Sequence, residues 1–161
     1  MTQTLHTVEP RRMRIAQAAP APYRALIALG STVELDPALR ELVDLRASIL
    51  NGCAYCIDMH TKAARKGGES EQRLYAVAAW RDAPFFDARE RAALALTDSV
   101  TLISDDQVPL AIWNEAAEHF AEDELAQLLW AITAINAWNR ISIATRIEPA
   151  SRPLAPARAE A

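Results

Sequence analysis

Two cysteines and four glycines are all that the 161 residues hold of either type, and these scarcities exclude whole classes of protein. A disulfide-stapled scaffold needs several cysteine pairs in a short chain, whereas this chain is long enough to bury a core unaided. No glycine-rich phosphate cradle, serine nucleophile elbow or His-x-x-x-His metal pair occurs, so no cofactor beyond a reducing partner is indicated. Positive charge is not in excess: 17 Lys and Arg against 21 Asp and Glu leave a net charge of -4, which argues against a phosphate-neutralising surface for nucleic acid. Arg11, Arg12 and Arg14 form the densest basic run, too short to alter that. The longest apolar run, Leu128 to Ile135, cannot span a bilayer. Met1 to Pro10 carries Glu9 and no apolar stretch of the kind that directs export, so a cytoplasmic location is expected.

Sustained two-residue alternation is also missing, while helix punctuation recurs along the chain. An all-α, single-domain helical bundle of about six helices over residues 1–148 is the expectation, with a disordered proline- and alanine-rich tail at 149–161. A first helix is read at Tyr23 to Val33. Asp36 and Pro37 supply an N-cap and a first-turn proline for a helix to Leu50. Asn51 and Gly52 interrupt it, and a second helix runs from Cys53 to Lys66, closed at Gly67 and Gly68. Ser70 caps a segment through Trp80, and Asp87 one that ends near Ile103. Ser104 and Gln107 have capping-box spacing for a helix containing Trp113 and His119. The last helix, Glu122 to Arg146, is apolar on several faces and so must be buried on several faces, which predicts a homo-oligomer. Trp80, Trp113, Trp130 and Trp138 read as core or interface anchors. Asn136, Asn139 and Arg140 must be hydrogen-bonded if buried.

The two cysteines stand three apart in "LNGCAYCIDMH", residues 50–60, a spacing that random placement gives in about one arrangement in eighty. In a reducing compartment such a pair reads as redox or metal chemistry rather than a structural cross-link. On a helix, Cys53, Cys56 and His60 share one face near the N-terminus, where free amides and the helix dipole favour a thiolate. His60 can hold or accept a proton near neutral pH. Peroxide reduction, thiol-disulfide exchange and redox sensing all suit these parts. Zinc is a competing occupant of the same ligands, completed by His119, His6 or Glu41, but no second Cys-x-x-Cys supplies a full set.

The stretch "ELVDLRASILNGCAYCIDMHTKAARKGG", with a Glu twelve positions before the first Cys and a His four after the second, resembles the core of the AhpD-like alkylhydroperoxidases of the carboxymuconolactone decarboxylase superfamily. The segment "ISDDQVPLAIWNEAAEHFAEDELAQLLWAITAINAWNRISIATR" is similar to the later half of that family's short members. The resemblance spans residues 15–147 and implies a helical fold assembled into trimers or hexamers. It further implies reduction of hydroperoxides, with Cys56 attacking, Cys53 resolving, and His60 and Glu41 forming a proton relay through a water. Electrons would come from an external dithiol, in the family often a lipoylated protein or an adaptor. The best-known branch has a histidine just before the second cysteine, where this chain has Tyr55, whose hydroxyl could instead contact a substrate or serve the relay. Decarboxylase members lack the cysteine pair. Taken without the resemblance, Glu41 lies opposite part of its helix's apolar stripe and reads equally well as a solvated carboxylate.

Overall fold

A computed structural model describes residues 10–150. Among these, the chain is all-helical and contains no strand. Its helical segments are α1 (Ile15–Ala18), α2 (Pro20–Ser31), α3 (Pro37–Asn51), α4 (Ala54–Lys66), α5 (Glu71–Ala76), α6 (Ala88–Thr101), α7 (Ile103–Asp106), α8 (Leu110–His119) and α9 (Glu122–Thr145). No helix among the described residues is long and apolar enough to cross a membrane. Of the 149–161 tail, residues 151–161 lie outside the described residues, as does His6.

Local chemistry explains most boundaries. The Asp36 carboxylate accepts from the Leu39 amide at 2.9 Å and Pro37 fits the first turn of α3. Asp87 and Glu90 form a reciprocal capping box at the start of α6, at 2.8 and 2.9 Å. The Ser70 hydroxyl caps α5, which tightens into a 3-10 turn at Val77–Ala79. The expected first helix starts earlier, since Pro20 occupies a first-turn position that needs no amide. The capping box read at Ser104 and Gln107 is not formed. Ser104 lies inside α7, Gln107 and Val108 take positive φ (55° and 56°), and the helix bearing Trp113 begins only after Pro109.

α3 is the central helix, packed against α4, α6 and α9. One side of it joins a core of Leu39, Val43, Leu96, Leu128 and Ile132; another joins Leu42, Leu45, Leu74, Val77, Trp80 and Leu94. Burying such side chains is the main driving force for the bundle. Of the four tryptophans, Trp80 is buried and Trp138 packs edge-on against Tyr23 at 5.2 Å, but Trp113 and Trp130 keep 39% and 51% exposure. With Ile103, Leu110 and Leu129, Trp113 lines an apolar groove of about 500 Å³. The last helix is therefore not covered on every face by its own chain.

A charged junction lies inside the bundle. Asp98 of α6 accepts from Arg46 Nε and Nη2 at 2.6 and 3.1 Å and from Trp80 Nε1 at 3.2 Å, and it also pairs with Arg81. Arg46 Nη1 continues to the Ala78 carbonyl at 2.9 Å. Removing the carboxylate would strand a buried guanidinium. Asp98→Ala is therefore expected to cost about 3–5 kcal/mol in urea denaturation; a loss below ~1 kcal/mol would show that the junction is solvated.

Candidate active site

The link between α3 and α4 builds the site. Gly52 adopts φ 68°, a left-handed turn that a side chain would strain. The Cys53 amide then donates to the Ser48 carbonyl at 2.9 Å, and α4 starts at once with Cys53 as its N-cap residue. The two helices run antiparallel across this short link, which brings residue 41 of one opposite residue 60 of the other. His60 Nδ1 meets Glu41 Oε2 at 2.8 Å. The contact is direct. Glu41 keeps 27% of its side chain exposed, on the wall of a pocket of about 490 Å³ between α3 and α4.

With a carboxylate on Nδ1, that nitrogen carries the hydrogen of the neutral ring and Nε2 holds the lone pair. Nε2 is buried and has no hydrogen-bonding partner among the described residues. It is a base with no competing donor, on the helix that carries Cys56 one turn earlier.

Both cysteines are free thiols and both are 1% exposed. At the mouth of α4 they pack with Ala47 and Ile135 against Tyr55, Trp138 and Ile143. Access runs through a cavity of about 170 Å³ lined by Cys53, Tyr55, Ser142, Ile143, Arg146 and Ile147. Tyr55 thus does border the route to the sulfurs.

The two sulfurs share a proton unequally. The hydrogen bond from the Cys56 thiol lowers Cys53 to about 6, against the cost of burial and with help from the Cys56 amide, the Ser142 hydroxyl and the Tyr55 amide. Cys56 is pushed up, first by that same hydrogen bond to Cys53, then by burial and the neighbouring negative charge. The hydrogen bond thus favours the charged form of Cys53 over that of Cys56.

Sequence reasoning missed one carboxylate of the site. Asp44, one turn after Glu41 on α3, is 4% exposed, pairs with Arg40 Nε at 2.8 Å and lies 3.8 Å from His60 Nδ1. Its i, i+3 spacing from Glu41 was the available signal. From α9 come the asparagines of "INAWNR". Asn51 donates to Asn136 and Asn139 at 2.9 Å each, Asn139 donates to Ser48 at 3.1 Å, and Asn136 to Thr101 at 3.0 Å. Their burial is compensated as buried amides require, and the network fixes α9 against the ends of α3 and α6. His119, by contrast, sits at the end of α8, where its carbonyl accepts from Arg89 at 2.6 Å. Among the described residues no three His, Cys, Asp or Glu side chains converge in a group that could hold a metal.

Residues 16–99, which include Glu41, Cys53, Cys56 and His60, match the carboxymuconolactone decarboxylase family. The chain belongs to that family. YdfG of Bacillus subtilis, itself uncharacterized, is 47% identical over 113 residues, covering 70% of this chain and 77% of that one. The crystal structure of ATU0492 from Agrobacterium tumefaciens, a protein of unknown function for which the role of antioxidant defence protein AhpD has been suggested, superposes with a TM-score of 0.86. It is 36% identical, over 89% of this chain and all (100%) of that one. An uncharacterized peroxidase-related protein from Ralstonia eutropha with the AhpD core has a TM-score of 0.74 over 84% of this chain and 74% of its own; at 22% identity it supports the fold alone. The fold is accordingly AhpD-like.

Burial raises the Asp44 carboxyl from 3.8 to about 6, opposed by His60 and Arg40. A carboxyl that holds its proton more tightly when folded favours the native state at low pH, and that advantage is lost as pH rises through the folded value. Asp44→Asn cannot ionise. Its stability relative to the native protein is expected to improve by about 3 kcal/mol between pH ~4 and ~7 in urea denaturation; a difference that stays constant across this window would contradict the burial of a charge here.

Proposed function

We propose that the protein is a thiol-dependent peroxidase that reduces organic hydroperoxides through Cys53 and Cys56. The observation that carries this reading is the 2.8 Å contact between His60 and Glu41, made from separate helices with Cys56 one turn before His60. Family membership and the suggested antioxidant role of ATU0492 agree with it. A peroxidase needs a thiolate, a second thiol within bridging reach and a group that returns a proton to the leaving oxygen; each has a residue here.

In the proposed cycle, the proton of the Cys56 thiol passes to His60 Nε2 and leaves Cys56 as the thiolate. Its sulfur attacks the outer peroxide oxygen: the S–O bond forms, the O–O bond breaks, and the alkoxide leaves as alcohol on taking a proton from His60. The sulfur has lost two electrons and is a sulfenic acid. Cys53, as a thiolate, then attacks that sulfur, forming the disulfide as the S–O bond breaks, and the hydroxide that leaves takes a proton from solvent to become water. An external dithiol, a lipoylated protein or an adaptor in the AhpD-like pattern, meets the disulfide at the cavity-lining Cys53 and is itself oxidised to a disulfide. Glu41 holds the His60 ring and stabilises its cationic form, and Tyr55 contacts the substrate in the cavity. Cytoplasmic reducing conditions keep the pair ready. The groove lined by Trp113 and Leu129 gives the homo-oligomer, trimer or hexamer, its contact surface.

Burial of both sulfurs favours one other reading, a dithiol redox sensor oxidised once per event, which includes slow thiol-disulfide exchange without peroxide turnover. Steady-state consumption of an organic hydroperoxide with dihydrolipoamide as reductant separates the two: repeated turnover is expected, and a single stoichiometric oxidation would support the sensor. Cys53→Ser and Cys56→Ser should each abolish turnover. A sulfenic acid retained on Cys56 in Cys53→Ser agrees with the order given; retention only on Cys53 in Cys56→Ser exchanges the roles. Glu41→Gln should slow turnover about 100-fold with little change in melting temperature, and equal activity would remove Glu41 from the relay.

A further inference from the structure

Four hydroxyls in the interior and flanks of this bundle spend their hydrogen on their own helix. Ser48 donates to the Asp44 carbonyl at 2.7 Å, Thr97 to Ala93 at 2.7 Å, Thr133 to Leu129 at 2.8 Å and Thr145 to Ile141 at 2.8 Å. This is the usual fate of a helical serine or threonine, whose side chain reaches the carbonyl one turn back. Ser142 of α9 departs from it. Among the described residues its hydroxyl makes no such bond; its contact is with sulfur, the Cys56 thiol donating to Ser142 Oγ at 3.9 Å, a direction that reverses once the sulfur is an anion. Ser142 is 3% exposed, yet it borders the cavity that Cys53 also lines.

We propose that Ser142 is a further catalytic residue of this site, its hydroxyl donating first to the sulfur anion and then to the oxygen which that sulfur takes from the hydroperoxide. The second half of the statement rests on the peroxidase reading above; the first half does not. Position supports both. Ser142 stands opposite the mouth of α4, on a different helix from the cysteines, and its lowering effect falls on each of the two sulfurs. Whichever sulfur carries the charge, the same hydroxyl can turn to it. A hydrogen bond to an ion is roughly twice as strong as one between neutral groups, and in a dry site a donor already in place needs no reorganisation when charge develops. No atom is transferred from Ser142: its proton stays on its own oxygen while the S–O bond forms and the O–O bond breaks. Rigid placement comes from the amide network one turn earlier, where Asn139 is held by Asn51 and Ser48. Ser142 also lies beyond the residues 16–99 that match the family, so this contribution comes from the later half of the chain.

The test reads the sulfurs without peroxide. Ultraviolet thiolate absorbance of the fully reduced full-length protein is titrated against pH for the native chain, Ser142→Ala and Ser142→Gly, each checked for native helix content by circular dichroism. Loss of a hydrogen bond to the charged form should raise the midpoint of the first thiolate by about one pH unit. Either variant suffices if the other does not fold. An unchanged midpoint in a folded variant overturns the proposal, because a merely packing hydroxyl would alter melting temperature and leave the titration alone. Peroxide turnover, measured in parallel, should fall about tenfold in a folded variant. A shifted midpoint in a protein that never turns over peroxide would uphold the sulfur contact and sink the peroxidase reading; turnover without any shift would do the reverse.

Discussion

The left-handed turn at Gly52 fixes nearly everything that matters in this molecule. By folding α4 back along α3 after a two-residue link, it sets Cys53 at the first amides of α4, buries Cys56 one turn in, and brings Glu41 across to His60. A longer link would let the two helices slide, and the carboxylate would no longer sit opposite the ring. A geometry needed to within a fraction of an ångström is thus produced by one backbone conformation that glycine adopts without strain.

Around that hairpin the protein tolerates an unusual amount of buried polarity, arranged in two zones. On the α6 side, Asp98 gathers two arginines and an indole into a compensated junction that ties the central helix to its neighbours. On the α9 side, asparagines and hydroxyls form a neutral network that ends at the sulfurs. The site lies between a carboxylate-rich wall, Glu41 and Asp44, and this neutral amide wall. Such a division suits chemistry in which a proton must be moved on one side while an anion is stabilised on the other.

Much of this was legible in the sequence, for identifiable reasons. Asp36-Pro37, Ser70 and Asp87 act through contacts within one turn, so their helix starts could be read directly. The helical alignment of Cys53, Cys56 and His60 needed only the periodicity of one helix. Glu41 was legible through the family pattern alone, because its partner is on another helix and its own stripe suggested solvent. The box at Ser104 and Gln107 failed because Pro109 and two residues of positive φ impose a later start on α8. Ser142 carried no local signal, since a hydroxyl inside a greasy helix is ordinary until the fold places it, and Asp44 offered only its i, i+3 spacing from Glu41. Burial of the sulfurs was equally hidden: it is produced by α9 and the residues after it, far along the chain.

The account turns on two sulfurs that pass electrons to one oxidant and then join each other. Reduced protein given one equivalent of an organic hydroperoxide, with no reductant present, can be weighed intact and mapped by peptide mass spectrometry. The account predicts the loss of two hydrogens per chain, no retained oxygen, and a peptide in which Cys53 is bonded to Cys56. An oxygen that stays on one cysteine without a cross-link, or two thiols that emerge unchanged, would contradict it.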